Sequence, residues 1–153
     1  MISVEVLSDD KNWSKKIKRL KPFFYSVCKS FPKKYRFINK KIFLTLLLSN
    51  NKGIQKLNKK FRNKNKPTDI LSFPLNTKIK INNKIYLGDI IISYNFMDKP
   101  KNQKIDFFKI KVIKTFIHGF LHLLGFNHIK MKDYKSMLKE EEKIYHSVIK
   151  KIN

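Results

Sequence analysis

Apolar and polar positions alternate from the start of the chain. Ile2, Val4 and Val6 interleave with Ser3 and Glu5, the two-residue period of a strand. From about Trp13 to Ser30 the period lengthens, with Trp13, Ile17, Leu20, Phe24 and Val27 recurring every three or four residues as on a helix. Pro22 falls inside that stretch, so a kink or two short helices are expected. Ile42–Ser49 is continuously strand-like and runs into the turn-prone pair Asn50–Asn51. Ile54, Leu57 and Phe61 fit the inner face of a short helix, and Ile70–Leu75 reads as a strand whose Pro74 belongs at a sheet edge. Asn82–Asn83 predicts a loop and Tyr86–Ser93 another strand. Asp106 is placed to cap a helix that runs to about Leu124, where Gly125 should stop it. A last helix is expected from about Asp133 to Lys150.

Strands come early, helices dominate the end, and strict strand–helix alternation is absent. The expected fold is therefore α+β: a small mixed sheet of about four strands packed against several helices. Residues 1–153 are expected to form one domain, because a chain of this length buries roughly 70% of its unfolded surface, enough for one ordinary core. The longest apolar run, Ile42 to Leu48, is far short of the roughly 20 residues of a spanning helix. No apolar leader segment precedes it, and the single Cys28 forbids an internal disulfide framework. These features predict a cytoplasmic protein without a membrane partner.

Charge changes the picture. The chain carries 35 basic and 11 acidic residues, a formal charge of +24 that makes an acidic partner, most commonly nucleic acid, plausible. Only Arg19, Arg36 and Arg62 are arginines, and Lys, Asn, Ile and Phe supply 79 of 153 residues. All four have A/T-rich codons, so part of the charge reflects codon bias, and clustering is more informative than the total. Lys56, Lys59, Lys60, Arg62, Lys64 and Lys66 form one such cluster with no acid among them. It reads equally as a solvated helix end or as a nucleic-acid patch. Arg62 stands apart, because its planar fork grips phosphate in a bidentate way that lysine cannot match. It is expected to contact a phosphate or the charge that develops in a transition state.

Three of the four histidines fall within eleven residues, in the pattern H-x3-H-x2-G-x2-H formed by His118, His122, Gly125 and His128. Residues four apart on a helix differ by only about 40° around its axis, so His118 and His122 project side by side. A continuing helix would carry His128 about 120° away from His122. A left-handed cap at Gly125 lets the chain reverse and bring His128 back. The spacing fits a three-histidine metal site with an open fourth position on a buried, zincin-like helix. The plainer reading is two core histidines bonded to carbonyls and one exposed on a turn. Metzincin proteases place a general-base Glu after the first histidine; here that position is Gly119, which moves no proton. Hydrolysis that needs only a metal-activated water and charge stabilisation survives this loss.

Three segments carry a resemblance to one known family. They are Leu57-Asn58 through Arg62 to Lys66-Pro67-Thr68-Asp69-Ile70-Leu71-Ser72-Phe73-Pro74, then Leu87-Gly88-Asp89-Ile90, then His118-Gly119 to His128. In this order they resemble the bacterial YbeY endoribonuclease, or rRNA maturation factor, family. The resemblance implies a zinc-dependent, single-strand-specific endoribonuclease active in small-subunit rRNA maturation and ribosome quality control. It implies one zinc ion held by His118, His122 and His128, with Arg62 and His118 as the functional pair. Single-stranded ribosomal RNA and the small ribosomal subunit are the implied partners. Asn127 departs from the Asp that the family usually places before the third histidine. Asn still caps a turn, but any role of that charge is lost.

Two other readings stay open from the residues alone. One is a non-catalytic, metal-stapled factor that binds RNA or the ribosome; the other, which Gly119 argues against, is a peptidase. Asp89 could orient a metal-bound histidine or be an ordinary strand residue. Cys28 is expected to be a buried small hydrophobe, His146 a helix-end cation, and Glu140, Glu141 and Glu142 the cover of a helix surface.

Overall fold

A computed structural model describes residues 1–81 and 83–152. The alternating segments become four strands: β1 (Ile2–Ser8), β2 (Ile42–Ser49), β3 (Ile70–Ile81) and β4 (Lys84–Ser93). They form one sheet in the order β1-β2-β4-β3. β1, β2 and β4 run parallel, and β3 pairs antiparallel with β4 along the free edge. The sheet is mixed and the fold is α+β, as the pattern predicts. Pro74 lies on the edge strand opposite Gly88, and β3 continues past Leu75, where the expected strand ends. Asn83 sits in a turn with φ of 61°, while Asn82 lies outside the described residues.

Seven helices complete the described chain. α1 (Asn12–Lys16) and α2 (Leu20–Lys29) divide the long N-terminal pattern, and the break falls at Ile17–Arg19 rather than at Pro22. Pro22 is the third residue of α2, inside the first turn, where an amide N–H has no helical partner to lose. α3 (Lys33–Arg36) and α5 (Tyr94–Met97) are single turns too short for a periodic signal. α4 (Asn51–Arg62) starts at Asn50, whose side chain accepts from the Gly53 N–H. In α6 (Ile105–Leu123) the N-cap position falls on Lys104, which makes no side-chain capping bond, and Asp106 instead places its charge in the first turn. α7 (Met131–Ile152) ends the fold.

α6 is the spine. Phe108, Val112, Phe116 and Phe120 recur every four residues and are fully buried. Phe116 meets Phe24 with ring centroids 5.2 Å apart, and Phe120 meets Phe31 at 5.1 Å. Leu44, Leu46, Leu48, Ile90 and Ile92 come up from the sheet into the same core. On the opposite face, Ile54 of α4 packs with Leu71 and Ile91. The sheet is thus buried on both sides, which explains the near-continuous apolar run of β2. Phe61 departs from expectation. It is 60% exposed, and the inner face of α4 is formed by Ile54, Leu57 and the buried Asn58.

Asn58 has a reason to be inside. Its amide donates to the Lys66 carbonyl at 2.9 Å, which ties the 63–66 loop to α4. α4 itself stops at Asn63 in a left-handed conformation. The arginine just before that cap is therefore delivered to the end of a fixed helix, beside β3.

Candidate metal centre

The last turn of α6 is a Schellman motif. The Phe126 N–H bonds the Leu121 carbonyl at 3.1 Å and the Gly125 N–H bonds the His122 carbonyl at 3.0 Å. Gly125 takes φ of +97°, a region that suits glycine, so the reversal expected from its position is present. The chain folds back and sets the His128 ring 5.6 Å from the His118 ring and 5.1 Å from the His122 ring, centroid to centroid. One ligand-capable atom from each of the three histidines lies within 4.8 Å of the others.

The proton positions follow from the partners. His122 Nδ1 faces the Phe126 carbonyl at 2.9 Å, and a carbonyl only accepts, so Nδ1 carries the hydrogen. His118 Nδ1 faces the Glu141 carboxylate at 2.5 Å and likewise donates. In the neutral rings both Nε2 atoms then present lone pairs, and these two atoms lie 3.0 Å apart. Two lone pairs aimed at each other repel unless something positive sits between them. Tetrahedral zinc with bonds of about 2.05 Å spaces its ligand nitrogens by roughly 3.3 Å. The donor set therefore fits a divalent ion that prefers imidazole. Burial, then the neighbouring His118, holds His122 below the usual histidine pKa and favours the neutral form that coordination requires. Among the described residues no fourth His, Cys, Asp or Glu joins the group, and His128 is exposed.

The histidines line a cleft of about 500 Å³ together with Arg62, Asp69, Ser72 and Asn127. Arg62 lies 56 residues before His118 in the chain and lines this cleft from the end of α4, beside β3. Its Nη2 donates to the Ser72 carbonyl at 3.2 Å and its guanidinium lies 5.8 Å from the Phe73 ring centre. No other hydrogen bond holds the guanidinium among the described residues, so the rest of its fork is available to a ligand. Lys56, Lys59, Lys60, Lys64 and Lys66 are all exposed, and none joins an ion pair among the described residues. Asn127 accepts from the Ile129 N–H at 3.4 Å, the turn-capping role that Asn retains.

Gly119 is explained by packing. A Cβ there would stand 2.6 Å from Ile70 Cδ1, 3.0 Å from Ser72 Oγ and 3.2 Å from Ile90 Cγ2. The helix presses on the sheet at the position where metzincins carry their base, so no glutamate fits. Gly119→Glu is expected to lower stability by about 2–4 kcal/mol, through overpacking and a buried carboxylate. Urea unfolding measures this, and a midpoint equal to the parent's would show that α6 and β3 separate freely.

Asp89 and Cys28 take their plainer readings, whereas the expected glutamate cover of α7 is corrected. Asp89 does not approach the histidines; it accepts from the Tyr86 hydroxyl, and burial, then this bond, pushes that phenol up to about 12. Of the three glutamates only Glu142 simply covers a surface. Glu140 accepts from the Tyr35 hydroxyl and pairs with Lys34 and Lys143, and Glu141 bonds His118. The signal available for Glu141 was weak: an acid on a downstream helix with no spacing rule to link it to position 118. Cys28 is buried with its thiol pushed up to about 12, and His146 donates from Nδ1 to the Glu142 carbonyl on its own helix. No helix among the described residues is long and apolar enough to cross a membrane.

Comparison with known proteins points the same way as the cleft. A family profile described as Endoribonuclease YbeY matches residues 7–149. A Pelagibacter ubique protein named Endoribonuclease YbeY is 63% identical over 152 residues, 99% of each chain. A namesake from Aliarcobacter butzleri is 42% identical over 101 residues, covering 66% of this chain and 70% of its own. A Thermotoga maritima protein solved in solution superposes with a TM-score of 0.57 at 25% identity, covering 97% of this chain and 89% of that one. With its matched segment spanning the arginine, the edge strand and all three histidines, this chain belongs to the YbeY endoribonuclease family.

Proposed function

We propose that the chain is a zinc-dependent endoribonuclease that cleaves single-stranded RNA, with small-subunit ribosomal RNA as its substrate in rRNA maturation and ribosome quality control. One observation carries the reading: Arg62 and three convergent histidines line the same cleft. His118, His122 and His128 would hold one ion, and an imidazole donor set suits zinc. Bound there, zinc supplies positive charge and a water whose pKa falls to about 7. Arg62 donates to the non-bridging oxygens of the scissile phosphate, where charge accumulates as the phosphorus is attacked. The exposed lysines of α4 and the following loop neutralise flanking phosphates. The relatives named endoribonuclease support RNA as the substrate class, and the lone buried Cys28 suits a reducing cytoplasm.

The alternative of a structural staple on an RNA-binding factor predicts four protein ligands, and the described residues offer three. A peptidase would need a base where Gly119 leaves no space. The test is metal analysis of the purified protein, paired with cleavage of single-stranded and duplex RNA before and after chelation. The expected result is about one bound zinc per chain, single-strand cleavage that stops on chelation and returns with zinc, and a resistant duplex. Undiminished cleavage by metal-free protein would overturn the proposal.

A further inference from the structure

We infer that Glu141 is a positioning residue of the metal centre: its carboxylate holds His118 in the Nδ1–H tautomer and turns Nε2 toward the ion. The inference rests on the metal-centre reading above and adds a residue that lies outside the histidine motif. Glu141 sits on α7, 23 residues after His118, and its Oε1 is 2.5 Å from His118 Nδ1. Both side chains are partly shielded, with relative exposures of 31% for His118 and 25% for Glu141.

The pairing is notable for this chain. With 35 basic residues and 11 acidic ones, a carboxylate has lysine partners in excess. Among the described residues Glu141 pairs with none of them, and its one partner is an imidazole. Lys114, which lines the same shallow groove between α6 and α7, places its ammonium 4.6 Å from the Tyr145 ring centre instead. The preceding residue helps to fix the helix. Glu140 is held from α3 by Tyr35 and Lys34, on one side of α7, while Glu141 reaches His118 on α6.

The physical consequence is twofold. An imidazole that donates from Nδ1 to a carboxylate is oriented and made more basic at Nε2, which strengthens the bond to a metal. His122 receives only a neutral carbonyl from Phe126, so the two helical ligands are tuned differently. The carboxylate also supplies negative charge beside a dication, in a chain whose formal charge of +24 otherwise repels one. Without Glu141, His118 is free to place its hydrogen on Nε2, the atom that would bind the ion.

Two readouts test this, on zinc and cobalt binding and on the metal-free protein. Competition against a chelator of known affinity is expected to show binding weakened about 10–100-fold in Glu141→Ala. Glu141→Gln, which keeps an acceptor but loses the charge, should fall between it and the parent. Nitrogen-15 imidazole NMR of metal-free protein should show His118 with its hydrogen on Nδ1 in the parent and a shift toward Nε2 in Glu141→Ala, while His122 keeps its hydrogen on Nδ1 against the Phe126 carbonyl. Parent-like affinity in Glu141→Ala, or an unchanged His118 tautomer, would overturn the inference, even if the variant melted at a lower temperature. Parent protein that takes up neither metal would remove the metal-centre reading and this inference with it; the tautomer signals distinguish that failure from the first.

Discussion

His118→Ala is expected to lower RNA cleavage by about 10³-fold or more while the chain stays folded. Zinc brings the pKa of water from 15.7 to about 7, and a site with two histidines left has lost one of three anchors for the ion that does this. The fold depends far less on this side chain. His118 is only partly buried, and the core beside it is carried by Phe116, Phe120 and Leu121, all fully buried or nearly so. Melting of the metal-free variant should stay within about 4 °C of the parent, the shift that roughly 1 kcal/mol produces in a domain of this size. Zinc content, thermal melts and cleavage measured on the same preparation separate the two effects. His146→Ala is the internal control, because His146 is exposed and bonds only within α7, and it should cleave normally. A His118→Ala protein that binds no zinc yet cuts RNA at the parent rate would end the metal-centre reading.

Arg62→Lys should separate turnover from binding. The charge is kept, so electrostatic attraction to RNA and its salt dependence should barely change; Kd should move by about threefold or less. The planar fork is lost, and with it the second parallel hydrogen bond to a phosphate whose charge grows during the reaction. Loss of one preorganised donor of this kind costs about 10²–10³ in kcat. The anchorage of Arg62 sharpens the expectation. Its bond to the Ser72 carbonyl and its place over Phe73 fix the guanidinium at the cleft, and a lysine amine has no fork with which to keep both partners and the phosphate. Arg62→Ala should also lower kcat, and in addition reduce the slope of log affinity against log salt by about one phosphate contact. Single-turnover cleavage and salt titrations measure both. If Arg62→Lys weakened binding strongly and left the rate of bound RNA unchanged, Arg62 would be a docking residue only.

Periodicity located most long elements because it reports burial directly. The alternation in β1, the four-residue spacing of α6 and the apolar run of β2 each match a face that the fold covers. Errors arose where local signals competed. Phe61 is at helical spacing with Ile54 and Leu57, yet α4 covers the sheet with Ile54 and Leu57 while Phe61, in its last turn, stays exposed. Pro22 looked like a breaker but occupies the one part of a helix that tolerates proline. Asp106 suits a cap, yet the helix begins at Ile105, one residue before it.

The sequence by itself determined the histidine triad, since two ligands one helical turn apart and a glycine-driven reversal are local geometry. It also marked Arg62, as a rare arginine in a lysine-rich segment. Only the tertiary structure decided that Arg62 shares the histidines' cleft, that Glu141 rather than Asp89 stands behind His118, and that position 119 has no space for a base. The physical reason is range. Backbone geometry propagates over a few residues and can be read from spacing, whereas contacts across 23 or 56 residues depend on how helices settle on a sheet.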